Sequence, residues 1–230
     1  MRKLIFIFLI LIAIFFGYYS FKILKTKFVV NSYFNQGRWR QLMEEYRKVK
    51  KTAYSSIFFG DSMTENFKEY MPTSDSIINM GISGDFTQGL IERIDNVTNF
   101  QPNQVFIMIG INDIIEKIPL NEIEKNYIII LETIKKKSPK TKIYIQSTLP
   151  TYGLNSFLSS SKGINKTVIK LNDFLKKTAD KMNIVFIDMY PEFVNESNEL
   201  RQEVTTDGIH LNMKGYQLWK SFLRKYLLIP

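Results

Sequence analysis

The hydrophobic pattern divides the chain into three regions. Residues 4–21 are 18 consecutive uncharged, mostly large apolar side chains, preceded by Arg2 and Lys3 and followed by Lys22. At about 1.5 Å per residue such a run spans roughly 27 Å as a helix, close to a bilayer core. It is apolar on every face, unlike the amphipathic helices of a globular surface. No small-residue cleavage string follows it, so the pattern predicts an uncleaved membrane anchor over residues 1–27. Residues 31–51 are polar, with apolar positions at Tyr33, Phe34, Trp39, Leu42, Met43 and Tyr46. That spacing predicts an amphipathic helix within a connecting segment, residues 28–53. The remaining residues, 54–230, form the third region.

In the third region short apolar runs alternate with helical patterns. Strand-like runs occupy residues 56–59, 76–80, 105–109, 142–146 and 184–187. Helical patterns occupy residues 87–97, 121–137, 163–182 and 213–227. This alternation predicts an α/β domain, a five-stranded parallel sheet between two helical layers. Right-handed crossovers then bring the C-terminal ends of all strands to one edge, where open α/β sheets place their ligands.

The residues able to carry chemistry fall just after these strands. Gly60-Asp61-Ser62 follows the first, Gly81-Ile82-Ser83-Gly84-Asp85 the second and Gly110-Ile111-Asn112-Asp113 the third. The sole histidine, His210, ends the string Asp207-Gly208-Ile209-His210 in the long connection after the fifth. Ser62, His210 and Asp207 together supply a nucleophile, a base and an acid that orients the base, the minimum set for serine-based acyl transfer. Histidine is the side chain suited to act as base near neutral pH.

Over residues 56–227 the chain resembles the SGNH or GDSL hydrolase family, named for a Ser, a Gly, an Asn and a His in four separated blocks. Gly60-Asp61-Ser62 is similar to the first block, with Met63 in place of the usual leucine, a change that conserves volume. Asn79-Met80-Gly81-Ile82-Ser83-Gly84-Asp85 is similar to the second, Gly110-Ile111-Asn112-Asp113 to the third and Asp207-Gly208-Ile209-His210 to the last. The resemblance implies a flavodoxin-like three-layer α/β/α sandwich and a serine esterase that needs no cofactor and no metal. It implies Ser62 as nucleophile and Asp207 and His210 as acid and base. The Ser62 and Gly84 N–H groups and the Asn112 side-chain amide would form an oxyanion hole, whose donors are each worth about 3–4 kcal/mol in the barrier. The implied substrates are carboxylic esters: acetyl groups on carbohydrates, other short acyl esters, lysophospholipids or thioesters. The same residues would serve an O-acyltransferase that passes the acyl group to a glycan hydroxyl. A catalytically silent glycan-binding module is the rival of another class, and the intact set of five residues speaks against it.

Composition narrows the remaining choices. The absence of cysteine removes disulfides, thiol catalysis and thiolate metal sites, and one histidine is too few for the usual hydrolytic zinc site. Net charge is +9, from 31 Lys and Arg against 22 Asp and Glu. Much of the lysine lies in short clusters such as Lys135–Lys137 and Lys176–Lys177 that read as solvated helix ends, and no nucleic-acid motif accompanies them. Asp61, Asp85 and Asp113 read as helix caps rather than catalysts. Ser83 lacks the spacing of a nucleophile elbow. The sequons at Asn96, Asn165 and Asn195 are short patterns expected by chance. Loops 148–162 and 189–206, with Tyr152, Asn155 and several serines, lean towards a sugar-borne acetyl group. The positive leader Arg2-Lys3 favours a domain outside the cytoplasm, joined to the membrane through residues 4–21, while Lys22, Lys25 and Lys27 on the other flank count towards the opposite topology.

Overall fold

The computed structural model describes residues 2–35, 37–49, 56–72, 74–155 and 160–227, with side chains left out at residues 2–7, 18–19, 22–23 and 25–27. Two N-terminal helices, α1 (Arg2–Phe34) and α2 (Gly37–Lys48), precede the sheet. There follow β1 (Ser56–Gly60), α3 (Ser62–Asn66), β2 (Ile77–Gly81), α4 (Thr87–Glu92), α5 (Asp95–Thr98), β3 (Gln104–Met108) and α6 (Ile111–Ile115). The chain continues through α7 (Leu120–Lys137), β4 (Lys142–Gln146), α8 (Ser161–Met182), β5 (Val185–Ile187), α9 (Tyr190–Phe193) and α10 (Met213–Leu223).

The five strands are parallel in the order β2-β1-β3-β4-β5, the flavodoxin-like order, whose switch point lies between β1 and β3. Gly60 at the end of β1 stands opposite Gly81 of β2 and Met108 of β3. The loops after these three strands therefore leave the sheet side by side.

The central strands β1 and β3 are apolar inside their ends because both faces are covered. Ile57, Phe59, Met80, Val105, Ile107, Ile143 and Ile145 point to one layer, where α7 and α8 contribute Tyr127, Leu131, Val168 and Leu171. Phe58, Phe106 and Tyr144 alternate with them and point to the other. There Phe58 stacks on Phe106 and Phe106 on Tyr144, at 4.9 and 4.7 Å between ring centroids. Helix α10 closes this second layer. Its Trp219 stacks on Phe67 at 4.7 Å and donates Nε1–H to Gln146 Oε1 at 2.6 Å, while the Tyr216 hydroxyl donates to Met63 O. Asn212 starts α10 by accepting from the Gly215 N–H, so the segment just after His210 is fixed by capping and by packing.

Three expectations change in detail. The helix expected over residues 87–97 is split into α4 and α5, because Arg93 leaves helical geometry (φ −118°, ψ 17°) and turns its guanidinium inward. The last helix ends at Leu223 rather than at residue 227. No separate helix spans residues 31–51. Helix α1 runs on through Phe34, and after the corner α2 starts at Gly37, with Arg40 reaching back across the corner to Phe34 O at 3.3 Å.

The apolar run 4–21 lies within the 33 residues of α1. Among the described residues no helix is long and apolar enough to cross a membrane; residues 4–7 and 18–19 of the expected span have side chains outside the described ones. Lys135–Lys137 form the last turn of α7, where they oppose the helix dipole, whereas Lys176 and Lys177 sit inside α8.

Because Trp219 is fully buried and joins α10 to β4 and to Phe67, Trp219→Ala is expected to lower unfolding stability by about 3–5 kcal/mol. Urea denaturation followed by circular dichroism measures this, and a loss under about 1 kcal/mol would refute the packing role.

Candidate active site

The sharp turn from β1 into α3 lifts Ser62 out of the sheet edge. Asp61 caps α3, its Oδ1 accepting the Met63 N–H at 3.0 Å, which agrees with the structural role expected for it. Gly81 permits this helix to lie on the sheet, since a Cβ there would come within 2.2 Å of the Glu65 nitrogen. Met63 is buried in the second layer, so the departure from leucine is absorbed by packing.

Residues 148 apart in sequence meet at this edge: Ser62 Oγ lies 2.9 Å from His210 Nε2. On the other side of the ring, His210 Nδ1 lies 2.7 Å from Asp207 Oδ2. The other Asp207 oxygen accepts the Ile209 and His210 N–H groups at 2.9 and 2.7 Å. The His210 carbonyl is held by the Thr206 N–H at 3.0 Å and the Thr205 hydroxyl at 2.7 Å. Tyr152 N–H donates to Gly208 O across this turn. Partial burial works to raise the Asp207 pKa, but the hydrogen bonds from the His210 ring and the two backbone N–H groups outweigh it and lower it. Asp207 therefore stays a carboxylate where it faces the imidazole, and an arrangement of this kind can draw a proton from a serine hydroxyl.

The second and third loops supply candidate donors. Gly84 has φ +79°, a left-handed conformation that favours glycine, and its N–H makes no hydrogen bond among the described residues. Ser62 is the first residue of α3, so its N–H has no acceptor within the helix. Asn112 opens differently from expectation: its Nδ2 donates to Asp85 O at 2.9 Å, tying the third loop to the second. The amide carries a second N–H, which leaves one for a ligand.

Several residues that hold the site were not singled out in the sequence. Arg93 is fully buried and donates to Asp85 Oδ2, Met80 O and Gly60 O at 2.8, 2.6 and 2.8 Å, with its guanidinium 4.4 Å from the Phe59 ring. Glu65 accepts both the N–H and the hydroxyl of Ser83 and pairs with Arg38. Asp85 does not cap α4. Asp113, in α6, does so instead, accepting the Thr87 N–H and hydroxyl. None of these contacts leaves a local signal, since Arg93 stands among Glu92 and Asp95 in the helical pattern of residues 87–97. Burial raises the pKa of Asp61 to about 7 and that of Asp113 to about 6, against the hydrogen bonds each accepts. Among the described residues no group of acidic and imidazole side chains could hold a metal ion.

Known proteins share the family and the fold. The model of the GDSL-like lipase/acylhydrolase family matches residues 58–218. Among curated relatives, N-acylneuraminate cytidylyltransferase of Streptococcus agalactiae is 24% identical over 77% of this chain, which spans only 40% of that protein's length. Platelet-activating factor acetylhydrolase IB subunit alpha1 of Rattus norvegicus is 23% identical over 78% of each chain. Among solved structures, a GDSL-like lipase from Bacteroides thetaiotaomicron superimposes with a TM-score of 0.72 at 23% identity, over 81% of this chain and 95% of the other. An acetylxylan esterase from Geobacillus stearothermophilus, in the form of a catalytic mutant, gives 0.60 at 19% identity over 79% and 98%. These likenesses are to the fold.

The raised pKa of Asp61 predicts a pH effect. A carboxyl that titrates higher in the folded than in the unfolded chain binds a proton on folding between the two values. Its contribution to stability is thus fully present below about pH 4 and is lost as pH rises through about 7. Asp61→Asn keeps the capping oxygen and removes the titration. It is expected to raise the melting temperature at pH 8 relative to the parent, with little or no gain at pH 4. An equal change at both pH values in a thermal scan would contradict the assignment.

Proposed function

The chain belongs to the GDSL-like lipase/acylhydrolase family, and from this premise we propose that it is an ester-hydrolysing serine hydrolase that removes short acyl groups, above all acetyl groups borne by carbohydrates. The observation that carries the mechanism is the line from Ser62 Oγ through the His210 ring to Asp207, with contacts of 2.9 and 2.7 Å. Ser62 Oγ attacks the ester carbonyl carbon while its proton passes to His210 Nε2. Asp207 holds the ring through Nδ1–H and stabilises the imidazolium. The negative oxygen of the tetrahedral intermediate is received by the Ser62 and Gly84 N–H groups and the free Asn112 N–H. Collapse expels the alcohol, which takes the proton from His210, and leaves an acyl-Ser62 ester. Water, deprotonated by His210, repeats the sequence to release the carboxylic acid and restore the serine.

A short acyl group is favoured by two similar proteins, an acetylhydrolase related in sequence and an acetylxylan esterase of similar fold. The loop after β4 meets the histidine turn through the Tyr152 N–H and Gly208 O, and its Tyr152 and Asn155 would favour a hydroxylated alcohol over an acyl chain. Membrane attachment through residues 4–21, with the domain outside the cytoplasm, completes the proposal. It is supported by the exposure of Phe8, Leu9, Leu11, Ile14, Phe15 and Phe16, an apolar surface that calls for cover.

The test is labelling of the full chain with a fluorophosphonate, beside Ser62→Ala and His210→Ala. Labelling of the parent and loss in both folded variants is the expected result, with turnover of p-nitrophenyl acetate reduced by at least about a thousandfold. Undiminished labelling of Ser62→Ala would show that the nucleophile lies elsewhere.

A further inference from the structure

The loop after β2 is held largely from outside the sheet, by the N-terminal helices. Tyr33, on the last turn of α1, donates its hydroxyl to Ser83 O at 2.5 Å. Its ring covers Gly84 so closely that a Cβ there would lie 2.8 Å from Tyr33 Cε2. Trp39 on α2 is buried and donates Nε1–H to Asp85 Oδ1 at 3.2 Å. Tyr46, two turns further along the same face, donates its hydroxyl to Gly81 O at 2.9 Å. Arg38 pairs with Glu65, the residue that receives the Ser83 N–H. Residues 81, 83 and 85 are thus each fixed by an aromatic side chain with a polar tip, and Gly84 lies between them. Tyr33 meets Phe86 edge to face at 5.3 Å, and Trp39 lies against Phe34 at 4.7 Å, so both anchors are locked by packing.

The planarity of the peptide bond turns these contacts into a statement about the site. Ser83 C=O and Gly84 N–H belong to one trans peptide unit and point in opposite directions. A hydroxyl that holds the carbonyl on the α1 side therefore aims the N–H away from α1. Trp39, by fixing the Asp85 carboxylate, restrains the other end of the same short segment. An oxyanion donor is effective only when aimed beforehand, and small misplacement is costly.

We propose that Tyr33 and Trp39 are positioning residues for the oxyanion loop, so that the α1–α2 hairpin is part of the catalytic apparatus rather than a connection to it. This rests on the reading of Gly84 as an oxyanion donor in the esterase proposed above. The burial of both side chains against the loop, and the hydrogen-bond partner of each, argue for a role at the site.

The test uses the full chain in detergent, with p-nitrophenyl acetate as substrate and phenylboronic acid as inhibitor, whose tetrahedral adduct places an oxygen in the oxyanion site. Tyr33→Phe removes only the hydroxyl and Trp39→Phe only the indole N–H donor and part of the ring. Glu44→Ala, on the exposed side of α2, is the control. Per folded molecule, each aromatic variant is expected to lose about tenfold in kcat with KM within about twofold, and to bind the boronic acid more weakly by a similar factor. Glu44→Ala should match the parent. Boronate affinity and kcat equal to the parent's in both Tyr33→Phe and Trp39→Phe would overturn the proposal, as would a loss accounted for by unfolded protein alone. A parent chain that neither hydrolyses the ester nor labels with fluorophosphonate would instead overturn the esterase reading, so the two failures are distinct.

Discussion

The buried ion pair between Arg93 and Asp85 is the constraint on which the site depends. Both side chains are fully buried, and a charge in that position is tolerated only when it is paired and its hydrogen-bonding groups are used. Arg93 meets that condition by binding the carbonyls of Gly60 and Met80, at the ends of β1 and β2. It thereby ties the turn that carries Ser62 to the loop that carries Gly84. The same demand breaks the helix after Glu92. Asp85 in turn receives Trp39 and, through its carbonyl, Asn112. One buried pair thus connects three sheet-edge loops and the N-terminal helices, and losing either partner would leave a desolvated charge costing about 3–5 kcal/mol.

The histidine is brought in by a different device. Its turn is closed by Thr205 and Thr206 on the His210 carbonyl and by Asp207 on two backbone N–H groups. Helix α10 then fixes that turn against the second layer through Trp219, Tyr216 and Leu223. Nucleophile and base therefore rest on the same apolar layer, since Met63 and Phe67 beside Ser62 pack in the cluster that holds α10. The 2.9 Å approach of Ser62 to His210 is a consequence of core packing as much as of loop geometry.

What was legible in the sequence follows from the physics of each part. The central strands were readable because both of their faces are buried, which makes residues such as 57–59 and 105–109 apolar without interruption. The four blocks were readable because three of them directly follow strands; Gly84, Asp207 and His210 lie on loops, whereas Ser62 opens α3 and Asn112 lies in α6. The amphipathic spacing of Tyr33, Trp39, Met43 and Tyr46 correctly marked a buried face, with Tyr46 partly covered. It could not reveal that this face covers the loop at Gly84, since that depends on where two helices dock. Arg93, Glu65 and the capping of α4 by Asp113 are contacts between distant segments and leave no local pattern. The corner after Phe34 was missed because apolar spacing continues across it.

The central claim, that Ser62 forms an acyl-enzyme with His210 as its base, is tested most directly by trapping the intermediate. The full chain would be mixed with p-nitrophenyl acetate, quenched in acid within the first turnovers, digested and weighed by mass spectrometry. The account predicts one added acetyl group on the peptide containing Ser62, absent from His210→Ala. An acetyl group found instead on the peptide containing Ser83, or rapid turnover with no adduct at any serine, would contradict it.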